Sequence, residues 1–324
     1  MKTKLLTLVG CLALIALPYL VYPVFLMKIL CFALFACSFN LLIGYTGLLS
    51  FGHAAFFGAA GYIAGYLLRD VGLTFEVAVL VGTLGAGIIG YIMGGLAIRR
   101  RGIYFTMITL ALAQMVYFVF LQAPFTGGED GFQNVPRSSL FGLLNLSSDT
   151  TMYYVVVGIV ILSLVLIHRI ISSPYGNVLA AIRENEPRAI SLGYDVNKYK
   201  LLAFVLSAMI AGLAGATKAA VLGFETLADI HWSTSGLVIL MTLIGGKGTF
   251  TGPLVGAFVI IFLENKLGEA GTFLAHLTGI EGFQAIGESI TTVIGLIFIV
   301  CVLAFRRGVV GELMDRLTQR NAVS

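Results

Sequence analysis

Long apolar runs limit this chain more than any other feature of its sequence. Val24–Gly44, Leu73–Ile98 and Ile103–Ala123 each reach the roughly 20 residues a helix needs to cross a bilayer. A backbone at that depth must satisfy its own hydrogen bonds, which a helix does within one segment. Apolar residues fill 58% of the 324 positions and charged residues only 11%, against roughly 25% charged in a soluble domain. The chain therefore reads as an all-α polytopic membrane protein, with 1–324 forming one transmembrane domain.

The remaining spans follow from turn signals and charge. They are Leu5–Val21, Leu48–Leu68, Met152–Ile171, Leu201–Gly223 and Glu288–Phe305, with two shorter segments, Ser235–Gly246 and Pro253–Leu267, around GGKGTFTG. Gly268–Gly287 is too polar to span and is expected at the interface or dipping in partway. The total is about ten crossings. Starting inside, this places all but Lys28, Arg69, Arg137, Lys218 and Lys266 of the 20 basic residues on the cytoplasmic side, the bias of the positive-inside rule. Both termini, including the tail 306–324, are then cytoplasmic, and Pro124–Thr151 is an outer loop. Five crossings on either side of that loop imply an inverted 5+5 repeat, a common transporter design.

The amino-terminal Lys2, Lys4 and following apolar stretch imitate a secretion signal, but the stretch before Cys11 is short and continues past it, which predicts an uncleaved first span. Cys11, Cys31, Cys37 and Cys301 all lie in apolar runs without metal-ligand company. The net charge of +4 reflects basic loops and calls for no nucleic acid. No Ser/His/Asp arrangement or helical zinc signature points to a catalytic residue, a metal or a cofactor.

The densest charge lies in 172–200, SSPYGNVLAAIRENEPRAISLGYDVNKYK. Ser173 and Pro174 read as a cap and first helical residue, and Pro187 stops that helix near Asn185. A second short helix runs from Pro187 to Gly193, a natural left-handed end. A docking platform and a solvated loop both fit these residues.

Two glycine-rich stretches carry the other signals. The 39 glycines include pairs four apart, Gly61/Gly65, Gly90/Gly94 and Gly252/Gly256, suited to close helix approach. Between Gly44 and Gly52 the apolar run breaks, with Tyr45, Thr46, Ser50 and His53 in or beside the gap and Asn40 one turn before it. Such a break fits a pathway lining or a plain inner loop, and His53 fits a hydrogen-bonded packing role. Gln114, Glu76, Lys218, Glu225 and Glu264 are further polar residues in or near spans, most close enough to span ends to snorkel. The loop Gly245-Gly246-Lys247-Gly248 resembles a phosphate-binding loop only superficially. That pattern needs glycine where Met241 stands and Ser or Thr where Gly248 stands.

Three blocks carry a family resemblance: GYTGLLSFGHAAFFGAAGYIAG, SPYGNVLAAIRENEPRAISLGYDVNKYKLLAFVLSAMIAGLAG and GGKGTFTGPLVGA. Together they make the chain similar to the LivM-like membrane permeases of bacterial branched-chain amino-acid ABC importers. The resemblance implies a multi-pass protein of the bacterial inner membrane. Its partners would be a second, LivH-like permease, two cytoplasmic ATPase subunits and a periplasmic substrate-binding protein. A coupling helix contacting the ATPase would fall on Arg183, Glu184, Asn185, Glu186, Pro187, Arg188, Ala189, Leu192 and Gly193. The loop Gly245–Gly248 offers a second cytoplasmic contact. Relatives carry urea, short-chain amides or aromatic acids, so cargo stays open among these and branched-chain amino acids. A secondary transporter acting alone is the competing class. It would leave the charged platform without a role and would want a carboxylate deep in the membrane.

Overall fold

The computed structural model describes residues 17–19, 21–142 and 144–278, with scattered positions between 292 and 312. The expected spans Leu5–Val21 and Glu288–Phe305 and the tail 306–324 lie largely or wholly outside them. The long helices are α1 (Pro23–Tyr45), α2 (His53–Arg69), α3 (Phe75–Ala97), α4 (Ile103–Gln122) and α5 (Asp149–Ile171). The short α6 (Pro174–Glu184) and α7 (Glu186–Ser191) follow, then α8 (Val196–Leu222), α9 (Trp232–Gly245) and α10 (Gly252–Thr278). Among the described residues, α1, α3, α4, α5 and α8 are long and apolar enough to cross a membrane.

Helix α8 is the axis of the bundle. Asp195 caps its start by accepting from the Lys198 amide at 3.3 Å, and Gly223 ends it in the left-handed region at φ +75°. Buried Ala203, Ala208, Ala211, Gly212, Ala214 and Gly215 leave its surface nearly flat, so α1, α2 and α3 all lie directly against it. A Cβ on Gly215 would overlap the Phe57 carbonyl of α2, and one on Gly90 of α3 would stand 2.5 Å from Ala208 Cβ. Helix α1 is then covered by α5, α9 and α10. Helices α4 and α5 bury little within the chain and turn Ile103, Tyr104, Met115, Ile161 and Leu162 outward.

Two expectations change. The break after α1 runs through Gly52, so the third span begins at His53 rather than Leu48. Helix α10 continues without interruption from Gly252 to Thr278, so no boundary falls at Leu267. The first part of Gly268–Gly287 thus belongs to this helix, residues 279–287 lie outside the described ones, and Glu264 is 3.7 Å from Lys28 of α1.

The loop between α4 and α5 is ordered by local pairing. Ser139–Leu140 (β1) and Leu144–Asn145 (β2) form a two-residue antiparallel hairpin. Buried Phe132 exchanges both backbone hydrogen bonds with Glu225, at 2.9 and 3.0 Å. Arg69 lies over the Phe132 ring at 4.2 Å. Arg137 joins Asp149 at 2.5 Å and the Val221 carbonyl at 2.9 Å.

Candidate functional site

The helix-to-helix break is held by hydroxyls. Thr46 folds its hydroxyl back onto the Leu42 carbonyl, and Gly47 turns the chain at φ +75°. Helix α4 fastens the next residues: Thr106 donates to the Leu49 carbonyl at 2.9 Å, and Thr109 accepts from the Phe51 amide at 3.3 Å. Ser50 accepts from the Gly52 amide at 3.1 Å. Ser235 of α9 satisfies the Ala54 amide, an orphan donor at the start of α2, at 2.9 Å.

His53 lies at the centre of this region, fully buried among Phe39, Phe56 and Phe204. Its Nε2 is 2.7 Å from the Ser207 hydroxyl, which donates to the Ser38 carbonyl at 2.6 Å. A hydroxyl has one proton, so Ser207 must accept from His53, and that assigns the proton to Nε2. Nδ1 is left as a buried atom without a partner. This relay ties α1, α2 and α8 together. Asn40, Thr46, Ser50 and His53 are all buried within the chain, and Tyr45 is partly exposed.

Asn40 joins the break to the second glycine-rich loop. Its carboxamide accepts from the Gly248 amide at 2.8 Å and donates to the Thr249 carbonyl at 2.9 Å. Gly246 and Gly248 both have positive φ, +120° and +78°, which lets the loop present those two backbone groups to one side chain. Gly245 and Gly246 are buried, and Lys247 points to the exposed side.

The platform has the local structure its residues dictate. Ser173 caps α6 by accepting from the Gly176 amide at 3.3 Å, Asn185 ends α6 and caps α7 through the Arg188 amide at 3.1 Å, and Gly193 lies at φ +89°. Its inner face is fastened to the bundle. Arg183 donates to the Gly44 carbonyl at the end of α1. Glu186 pairs one oxygen with Arg101 at 3.2 Å and the other with buried Lys200 at 2.8 Å. Ala189 is buried with Ile182 and Val196. Tyr175 stacks on Tyr199 and donates to its carbonyl at 2.9 Å, and burial pushes the Tyr175 phenol well above its ordinary range. The outer face exposes Glu184, Pro187, Arg188, Ile190 and Leu192, the last at 69%.

At the opposite end of α8 is a charged cluster whose role sequence reading missed. Lys218 is 2% exposed, not snorkelling, and its Nζ meets Glu225 at 3.1 Å and Asp229 at 2.5 Å. Asp229 also closes a capping box with Thr226. Gly61 makes room for the Glu225 carboxylate: a Cβ there would stand 2.5 Å from its carboxyl carbon. Gly61 thus serves a side chain of the returning loop, not a helix backbone. The available signal was spacing, since Lys218 and Glu225 are seven residues apart across a helix end at Gly223.

The sequence family described as "branched-chain amino acid transport system / permease component" matches residues 23–303. The chain is 29% identical over 245 residues to the high-affinity branched-chain amino acid transport system permease protein LivM of Escherichia coli K12, covering 68% of this chain and 58% of that protein. It is 26% identical to the ribose import permease protein RbsC of Haemophilus influenzae, over 60% of each chain. A probable branched-chain amino acid transport permease protein LivH of Methanocaldococcus jannaschii is 28% identical, over 48% of this chain and 46% of that one. The chain therefore spans less than two thirds of the length of these curated relatives.

Proposed function

Since the chain belongs to the family of branched-chain amino acid transport permease components, we propose that it is a membrane-spanning subunit of an ATP-driven importer for branched-chain or related amino acids. The observation that carries this reading is the extent of the family match, which takes in every helix from α1 to α10. The proposed setting is the bacterial inner membrane, with about ten crossings, an inverted 5+5 arrangement and both termini cytoplasmic. In this reading ATP hydrolysis belongs to separate subunits. The chain's partners are a second, LivH-like permease, two cytoplasmic ATPase subunits and a periplasmic binding protein.

In this reading the platform is the coupling element. Its support is a division of labour between faces: Arg183 and Glu186 bind the bundle, while Leu192, Ile190, Glu184 and Arg188 are free to meet another subunit. A rigid contact of this kind transmits a displacement that a loose loop would absorb. Gly245–Gly248, clasped by Asn40, is the secondary contact. The break from Tyr45 to His53 borders the translocation route, with Tyr45 its partly exposed aromatic side chain. Urea, short-chain amides or aromatic acids are the alternative cargo.

Uptake of radiolabelled leucine by cells with and without the chain tests the function, with urea, acetamide and benzoate as competitors. Leucine uptake that needs both the chain and ATP is expected. Uptake that survives loss of the ATPase subunits but collapses with the proton gradient would instead indicate a secondary transporter.

A further inference from the structure

A polar cavity of about 190 Å³ separates the platform from the bundle. Arg101, Arg183 and Lys200 supply three positive charges to its lining, and Glu186 one negative charge. Glu186 is already neutralised, one oxygen on Arg101 and the other on Lys200. Arg183 gives one donor to the Gly44 carbonyl, which leaves most of the five guanidinium donors uncommitted. Helix α4 begins at the same place with Gly102 as its N-cap, so no side chain caps it there. Its amino-terminal dipole adds to the positive field.

The cavity adjoins a second, apolar one across shared lining residues. This groove, about 500 Å³, shares Gly47, Leu48 and Gly102 with the polar cavity and extends along Phe51, Ile103 and Phe105. Ile103 is exposed on the flank of α4, which in a membrane protein is a surface for acyl chains or another apolar partner. A basic recess beside an apolar groove matches the division between the phosphate and the tails of one phospholipid.

We propose that this paired cavity binds one anionic phospholipid, its phosphate among Arg101, Arg183 and Lys200 and an acyl chain along the groove beside α4. A free phosphate would use only the polar half, and a zwitterionic lipid would bring its own cation into a cavity with excess positive charge. The bound lipid would touch Arg101 and Arg183, two of the side chains that fasten the platform. Lipid composition would therefore bear on how firmly the platform is held.

The test is native mass spectrometry of the purified full-length chain in detergent, with dioleoylphosphatidylglycerol, dioleoylphosphatidylcholine and inorganic phosphate as probes. One phosphatidylglycerol should be retained in preference to phosphatidylcholine. Retention should weaken about fivefold for each cation removed in Arg101→Gln and in Arg101→Gln/Arg183→Gln. Arg99→Gln, an exposed charge outside the cavity, should bind as the parent does. The single Arg101→Gln variant, whose side chain is mostly in solvent, decides the matter if the double variant does not fold. Equal retention of the two lipids, unchanged binding in Arg101→Gln, or an equal loss in Arg99→Gln would overturn the site. Displacement of phosphatidylglycerol by millimolar inorganic phosphate would overturn the lipid assignment in favour of a free anion.

Discussion

Arg183 donates to the main-chain carbonyl of Gly44, a residue 139 positions earlier. That bond fastens the platform to the end of α1, where Asn40, one turn back, holds the loop at Gly248. Three stretches far apart in the chain thus meet at one end of the bundle, and a push on the platform reaches α1 through a direct contact.

The outer face of the platform should matter more through its apolar side chain than through its charges. Leu192→Ala should weaken ATPase association by about 2 kcal/mol, roughly 30-fold, as for an interface anchor. Glu184→Gln should cost about 1 kcal/mol or less, because the group is exposed. Affinity of the ATPase subunits for the permease in detergent measures both. Glycines inserted after Pro187 should abolish stimulation of ATPase activity by loaded binding protein. Normal stimulation in that variant would leave 172–200 as a solvated loop.

Asn40 should act as a structural clasp. Asn40→Ala strands the Gly248 amide and the Thr249 carbonyl, each partly buried, at about 1–3 kcal/mol. Asn40→Asp keeps the acceptor for Gly248 but sets a carboxylate against the Thr249 carbonyl. Both should lower the thermal midpoint in detergent. A midpoint equal to the parent's in Asn40→Ala would show that the loop is held by other means.

The buried cluster at the carboxyl-terminal end of α8 should show strong coupling. Lys218→Met leaves Glu225 and Asp229 facing each other without a cation, a loss of about 3–5 kcal/mol. Adding Glu225→Gln removes one of the stranded charges and should recover part of that loss. Unfolding midpoints of the two single variants and the double one form the cycle. Additive effects would argue against a charge-coupled unit.

The orientation can be read by chemical labelling. In a cysteine-free background, Ser147→Cys in the loop before α5 and Asn177→Cys on α6 both place a thiol at an exposed position. An impermeant maleimide applied to intact cells should label only the first. Equal labelling would overturn the assignment of the platform to the cytoplasm.

What the sequence determined by itself was local. Ser173, Asn185, Pro187 and Gly193 act on backbone groups within about one turn, so both platform helices and their ends were legible without knowing what lay beneath them. The same holds for the apolar lengths of α1, α3, α4 and α8 and for the polar break before His53, which set length and polarity without any partner. The tertiary structure alone decided which groups meet. A carboxamide such as Asn40 can pair with any nearby peptide group, and only the folding of α9 and α10 against α1 puts Gly248 and Thr249 there. Glu186 looks like a surface charge until α8 and the α3–α4 turn bring Lys200 and Arg101 to it. Lys218, near a helix end, was free either to snorkel or to be buried. The turn after Gly223 chose burial by returning Glu225 and Asp229 to its ammonium group, since a charge leaves water only where opposite charges already wait for it.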